Sequence, residues 1–206
     1  MAKSANRSGT PRTAIAGFSI VEMVISICVM LVLSAIAIPT LMRSLRAYQL
    51  NDAATRFASM LKFTRFEAVR QNTQVNFVMQ ASGTGYLVGA DSNHNANGLL
   101  DPTERQELIA GFATVIPSGA PAPTAILTAL NTSTLTPVSA SPSTITFDAR
   151  GAIRTSYGGG VSSNIYVFYI GSMIDPDPGF RAVVLLPSGS MQIWSAPGSG
   201  PWQKVG

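Results

Sequence analysis

Charge is scarce in this chain. Only 12% of its 206 residues are Asp, Glu, Lys or Arg, while 46% are apolar. Cysteine and histidine are nearly missing, at one each. The single cysteine, Cys28, excludes an intramolecular disulfide, so any soluble domain must hold by packing alone. It sits inside an apolar run and reads as a small helix residue. His94 has no second histidine and no nearby cysteine, which excludes a typical zinc site and leaves a solvated loop histidine. No G-x-S-x-G elbow, Walker loop or dinucleotide fingerprint occurs. Gly158-Gly159-Gly160 lacks the lysine and following helix of a phosphate loop and reads as a turn. Trp194 and Trp202 flank a Pro/Gly-rich stretch and read as packing or tip residues rather than a ligand platform. An enzymatic reading therefore has no constellation behind it.

The formal charge of +4 is misleading. Lys3, Arg7 and Arg12 stand in a segment without acids, and the remaining 11 basic and 10 acidic side chains nearly cancel. Bulk charge offers no case for nucleic-acid binding. Six of the remaining bases, Arg43, Arg46, Arg56, Lys62, Arg65 and Arg70, fall on one expected helix.

Residues 1–17 are polar and basic and read as a leader. The apolar run follows them, where an ordinary secretory signal would carry its apolar core ahead of the cleavage point. Phe18 to Ile38 is 21 residues with one charge. As a helix it spans roughly 32 Å, the thickness of a bilayer core. The leader bases favour a cytoplasmic N-terminus, which Arg43 and Arg46 oppose mildly. Pro39 interrupts the end of the run, where proline removes a hydrogen bond and typically kinks a helix. Residues 40–71 contain neither Gly nor Pro. Leu41, Leu45, Tyr48, Ala53, Phe57, Leu61 and Ala68 recur on one face, with Arg43, Arg46, Asp52, Lys62, Arg65 and Glu67 on the other. This pattern predicts an amphipathic helix over 39–72, continuing the membrane one.

After Gln71 the period changes to two. Strands are predicted at 74–80, 85–90, 106–112, 143–148, 164–170, 180–186 and 190–195. Residues 117–143 hold five prolines and read as a long low-charge loop or a weak strand pair. The expected fold is α+β. A long N-terminal helix, half membrane-spanning and half amphipathic, packs on an antiparallel β-sheet domain over 73–206.

Glu22 is the single charge in the apolar run. A carboxylate in hydrocarbon costs up to a few kcal/mol, so it calls for a partner. With Gly17 and Phe18 just before it, the stretch Gly17-Phe18-Ser19-Ile20-Val21-Glu22 resembles the processing site of the type IV pilin and pseudopilin superfamily. The resemblance implies cleavage by a prepilin peptidase between Gly17 and Phe18 and methylation of the new Phe18 amine. It implies a role for Glu22 in meeting that amine within or between subunits during assembly. Gly17, lacking a side chain, permits close approach of the peptidase.

Three later segments resemble the GspH/FimT branch of that superfamily. Phe66-Glu67-Ala68-Val69-Arg70-Gln71-Asn72-Thr73 resembles its "SEAIRRGT" helix end. Ile145-Thr146-Phe147-Asp148-Ala149-Arg150-Gly151 resembles its "I-x-F-x-x-x-G" strand and turn. Arg181-Ala182-Val183-Val184-Leu185-Leu186-Pro187-Ser188-Gly189-Ser190 resembles its closing hairpin, with Ser190 in place of the usual arginine. The resemblance implies a minor pilin or pseudopilin, a structural part of a type II secretion pseudopilus or type IV pilus. It would be anchored in the inner membrane with a periplasmic C-terminal domain, then pass into the fibre, with other pilins as partners through the N-terminal helix. The rival reading is a DNA-uptake pilin on the same scaffold, for which Arg181 and Lys204 are the available bases.

Residues 93–104 read N-x-N-x-N-G-x-x-D-x-x-E, close to EF-hand loop spacing. Oxygens of Asn93, Asn95, Asn97, Asp101 and Glu104 are the candidate Ca²⁺ ligands, with Gly98 at the turn. Family members often carry a more acidic version here. With two carboxylates in the set, the expectation is weak Ca²⁺ binding or none, and a loop whose side chains bond their own backbone. No other cofactor is expected.

Overall fold

The computed structural model describes residues 19–92 and 98–205. The chain divides at residue 41 into two units. A single helix, α1 (Ile20–Gln71), supplies residues to both, and its hydrogen-bonded course includes Pro39 rather than ending there. Thr40 Oγ1 donates to the Ile36 carbonyl at 3.2 Å, adding a side-chain bond where proline lacks a backbone one.

In the first unit every described residue is exposed. In the second, α1 buries Leu50, Ala53, Ala54, Phe57, Ala58, Met60, Leu61, Thr64 and Ala68. Alanine at four of these positions lets the backbone approach the sheets closely. Helix α1 stops at a left-handed Asn72 (φ 51°). The Thr73 amide reaches back to the Ala68 carbonyl and the Asn72 amide to that of Val69, a Schellman ending.

The strands are β1 (Val75–Ser82), β2 (Gly85–Asp91), β3 (Gln106–Ile109), β4 (Thr114–Val115), β5 (Thr136–Pro137) and β6 (Ser143–Phe147). They continue with β7 (Ile153–Arg154), β8 (Tyr166–Gly171), β9 (Phe180–Leu185), β10 (Met191–Ala196) and β11 (Gln203–Val205). One sheet runs β3-β2-β1-β6-β7 and the other β11-β10-β9-β8-β4. Pairing is antiparallel except for β5 on β8. The short β4 and β5 share the edge of β8 that β9 leaves open, at its two ends. That edge would otherwise expose unpaired amides and carbonyls.

The main core lies between α1 and both sheets. Phe57 of α1 stands 5.4 Å from Phe77 of β1 and 4.7 Å from Phe168 of β8, measured between ring centroids. These three rings join helix and sheets, and edge-to-face geometry adds to their area burial.

A second core covers the opposite face of the β8–β10 sheet. Val167, Phe180, Ala182, Val184, Trp194, Ala196 and Trp202 pack there with Ile126 of a short helix, α2 (Thr124–Ala129). Residues 117–143 thus hold a helix and the short β5 rather than the expected loop or weak strand pair. They form a cover pinned by the Trp202 indole N–H to the Pro121 carbonyl at 3.2 Å. Strand β9 is buried at all six residues because both faces of its sheet are covered, which the apolar run Ala182 to Leu185 reflects. Both tryptophans are buried packing residues.

Candidate functional site

Ser19 caps α1. Its hydroxyl accepts the Val21 amide at 3.3 Å, and its carbonyl accepts the Met23 amide at 3.1 Å. Glu22 lies in the first turn, where the positive end of the helix dipole favours a carboxylate. Its own carbonyl accepts the Ser26 hydroxyl at 2.8 Å. Gly17 and Phe18 lie outside the described residues. Between Ser19 and Leu41 no Lys or Arg occurs, so this segment contains no cationic side chain to pair with Glu22.

The helix around Glu22 has the composition of a membrane span. Its most apolar 18-residue window has a mean hydropathy of 2.6, and none of that window is buried. Large side chains from Ile20 to Ile38 are each more than half exposed. At roughly 25 cal/mol per Å², such a surface is costly in water and must be covered by lipid or other helices. Cys28 is free and exposed on it, as one small residue among many.

The loop following β2 has a different organisation. Asn93, Asn95 and Asn97 of the expected ligand set, with His94, lie outside the described residues. Gly98 takes the positive φ (68°) expected of a tight turn. Glu104 is buried, and its carboxylate already serves the backbone: one oxygen accepts the Ser92 amide at 2.7 Å, the other the Asp101 amide at 2.9 Å. The Glu104 amide returns a bond to the Asp101 carbonyl at 3.0 Å. The acid therefore clasps both ends of the loop. Among the described residues no cluster of three or more His, Cys, Asp or Glu is arranged to hold a metal.

Asp91 at the loop's start is buried in a polar ladder across three strands. Thr146 donates to Asn76 at 2.8 Å, and Asn76 donates to Asp91 at 3.3 Å. Burial raises the Asp91 pKa above the ordinary value, against the Asn76 hydrogen bond, and the negative charge of Glu104 adds to the rise.

The second and third of the later segments singled out in the sequence meet at Arg65 of α1, next to the first. Arg65 Nε donates to the Gly151 carbonyl at 3.0 Å. A Cβ on Gly189 would fall 2.0 Å from that same oxygen, so only glycine fits, and its φ of 76° has the same requirement. Beside this contact, Asp148 Oδ1 accepts the Arg150 and Ala152 amides at 2.9 Å each, and Oδ2 bonds Arg154. Burial works to raise the Asp148 pKa. The two amides and the Arg154 guanidinium outweigh it and hold the carboxyl below its usual range. An adjoining open cleft of about 520 Å³ is lined by Asn72, Gln74, Asp148, Arg150, Arg154 and Tyr157, among others. Its one acid, Asp148, is engaged by two backbone amides and Arg154.

Arg181 is not a surface base. It is 7% exposed and bonds the Asn51 side chain of α1 and the Phe180 carbonyl. The expectation that it could serve DNA contact is thereby corrected: it ties β9 to the helix. Lys204, on the exposed β11, keeps its solvent access. Sequence reasoning also missed a second tie. Arg46 pairs with Asp175, and Arg43 lies 3.9 Å from Asp177, in the loop between β8 and β9. The alternation Asp175-Pro176-Asp177-Pro178 was the available signal of a braced turn.

The family model for type II transport protein GspH matches residues 53–189. Among solved structures, two crystal forms of the type IV minor pilin FimU from Pseudomonas aeruginosa are similar. The first is 18% identical with a TM-score of 0.47, over 71% of this chain and 88% of that one. The second is 18% identical with a TM-score of 0.45, over 70% and 91%. No curated protein matches.

Proposed function

The chain belongs to the GspH family of type II transport proteins, and from that premise we propose that it works as a minor pilin or pseudopilin. It is a structural subunit of a type II secretion pseudopilus or a type IV pilus. The family match carries this reading, because it spans α1 from residue 53 on, the whole β3-β2-β1-β6-β7 sheet, strands β4, β5, β8 and β9 of the other region and the closing hairpin glycine. The uncovered apolar half of α1 supports it, since a subunit of this kind needs a helix that serves first as anchor and then as packing surface.

In this reading a prepilin peptidase cuts between Gly17 and Phe18 on the inner membrane, and the Phe18 amine is methylated. The second unit faces the periplasm. Glu22 pairs with the amine of a neighbouring subunit, because a carboxylate and an ammonium in low dielectric stabilise each other. Other pilins contact the helix as it enters the fibre. The loop over 91–104 is closed by Glu104, and its Ca²⁺ affinity is weak or nil. The family is a structural one, and no catalytic role is assigned. The burial of Arg181 leaves the DNA-uptake alternative with little to rest on.

Coexpression with a prepilin peptidase and sequencing of the mature N-terminus tests the processing step. The expected first residue is Phe18; any other start contradicts it.

A further inference from the structure

We propose that the cleft at the end of α1 binds a saccharide carrying a single carboxylate. The inference stands on the second unit alone and does not depend on fibre assembly. The cleft's volume of about 520 Å³ is that of a small-molecule site, and its open form lets a ligand lie along it. Its charged groups are Asp148, Arg150 and Arg154, which leave one net positive charge.

Two of those charges are spent on each other. Arg154 donates to Asp148 Oδ2 through Nε at 3.1 Å and Nη2 at 3.0 Å, and its Nη1 donates to the Gly159 carbonyl at 3.1 Å. Arg150 gives only its backbone amide to Asp148. Its exposed guanidinium has no partner among the described residues. One planar cation is therefore free to meet a carboxylate bidentately. The negative end of the α1 dipole adjoins the cleft at Asn72 and disfavours ligands of higher charge.

The neutral groups decide what carries that carboxylate. An exposed ion pair alone contributes little, so the rest of the lining must share the binding. Gln74 Oε1 accepts the Gly158 amide at 2.6 Å, which fixes the side chain and leaves its two N–H donors for a ligand. Asn72, on the exposed left-handed residue that ends α1, offers a second amide with both donor and acceptor. Tyr157 is 47% exposed and presents an apolar ring with a hydroxyl. Sugar hydroxyls need donors and acceptors together, and the C–H face of a pyranose needs an apolar plane. Amides, an aromatic ring and one free guanidinium match those needs in a single cleft.

The test uses the full chain in a detergent without a sugar headgroup, titrated under saturation-transfer NMR. The probes are cellobiouronic acid, the uncharged cellobiose and a blocked dipeptide with one glutamate. Cellobiouronic acid is expected to bind about fivefold more tightly than cellobiose, the size of one exposed ion pair. Arg150→Gln should bring it down to the cellobiose level and leave cellobiose unchanged. Tyr157→Ala should weaken both saccharides about fivefold. Both side chains are exposed, so the melting temperature of either variant should match the parent, which separates lost binding from lost folding. Absence of saccharide binding to the parent would overturn the proposal. The dipeptide binding as tightly as cellobiouronic acid would also overturn it, by showing a site for charge alone. Affinities unchanged in both variants would do the same, by placing the ligand elsewhere.

Discussion

The two halves of α1 are made of one continuous helix and have opposite relations to their surroundings. Before residue 42 every described side chain is exposed although the stretch is the most apolar in the chain. After it, nine side chains are buried although charges are frequent. Apolar content alone therefore does not say what a helix packs on; the arrangement of polar residues does. A run with no polar face requires apolar surroundings on all sides, from lipid or other helices. A run with bases on one side and alanines on the other suits a sheet. Folding free energy belongs to the second half, and the first is left for anchoring and assembly.

Breaking the second half should have the largest effect. Phe57→Ala removes the ring that meets both Phe77 and Phe168 and should cost about 3–5 kcal/mol of domain stability. Chemical denaturation of the detergent-solubilised chain checks this, and membrane insertion should be unaffected. A smaller loss is expected from Asp148→Ala, which frees two amides and Arg154, at about 2–3 kcal/mol. Its pH dependence is diagnostic. The Asp148 carboxyl is held below its ordinary 3.8, so its contribution is complete above that value and is lost as pH falls through the lowered one. The variant should lose less stability than the parent over that acid range.

Asp91 sharpens the contrast with a change of sign. Burial holds it above 3.8, so the folded state takes up its proton first, and its penalty at neutral pH shrinks as pH falls through the raised value. Asp91→Asn should therefore stabilise the domain slightly at pH 7. Thermal melts at pH 7 and pH 4 should show the gain fading at the lower pH.

Much of this was legible in residues. The long helix followed from a 21-residue run with one charge and then a stretch free of Gly and Pro. All seven predicted strands are present, because short runs rich in Val, Ile, Phe and Tyr between Gly, Pro, Asn and Ser mark them even where both faces are buried. The elements that were missed have physical reasons. Strands β4, β5 and β7 are two residues each and β11 three, and their pairing is set by the edges of other strands. Helix α2 is six residues of Thr, Ala, Ile and Leu beside prolines, too short for a period to register. Its presence was implied indirectly: Ala182 to Leu185 reads apolar on both faces, which requires a cover on each. At the candidate site, Glu22 stood out because a charge in an apolar run is costly. The engagement of Glu104 and the burial of Arg181 were not legible, since both depend on backbone brought in from elsewhere in the chain.

Glu22→Leu tests most directly the claim that the first half of α1 serves assembly and the second half folding. The domain's melting temperature and the amount of full-length protein incorporated into fibres should be measured on the same variant. An unchanged melt with incorporation largely lost is the predicted result, because the amine of the neighbouring subunit would lack its partner in low dielectric. Normal incorporation, or a domain destabilised by the substitution, would contradict it.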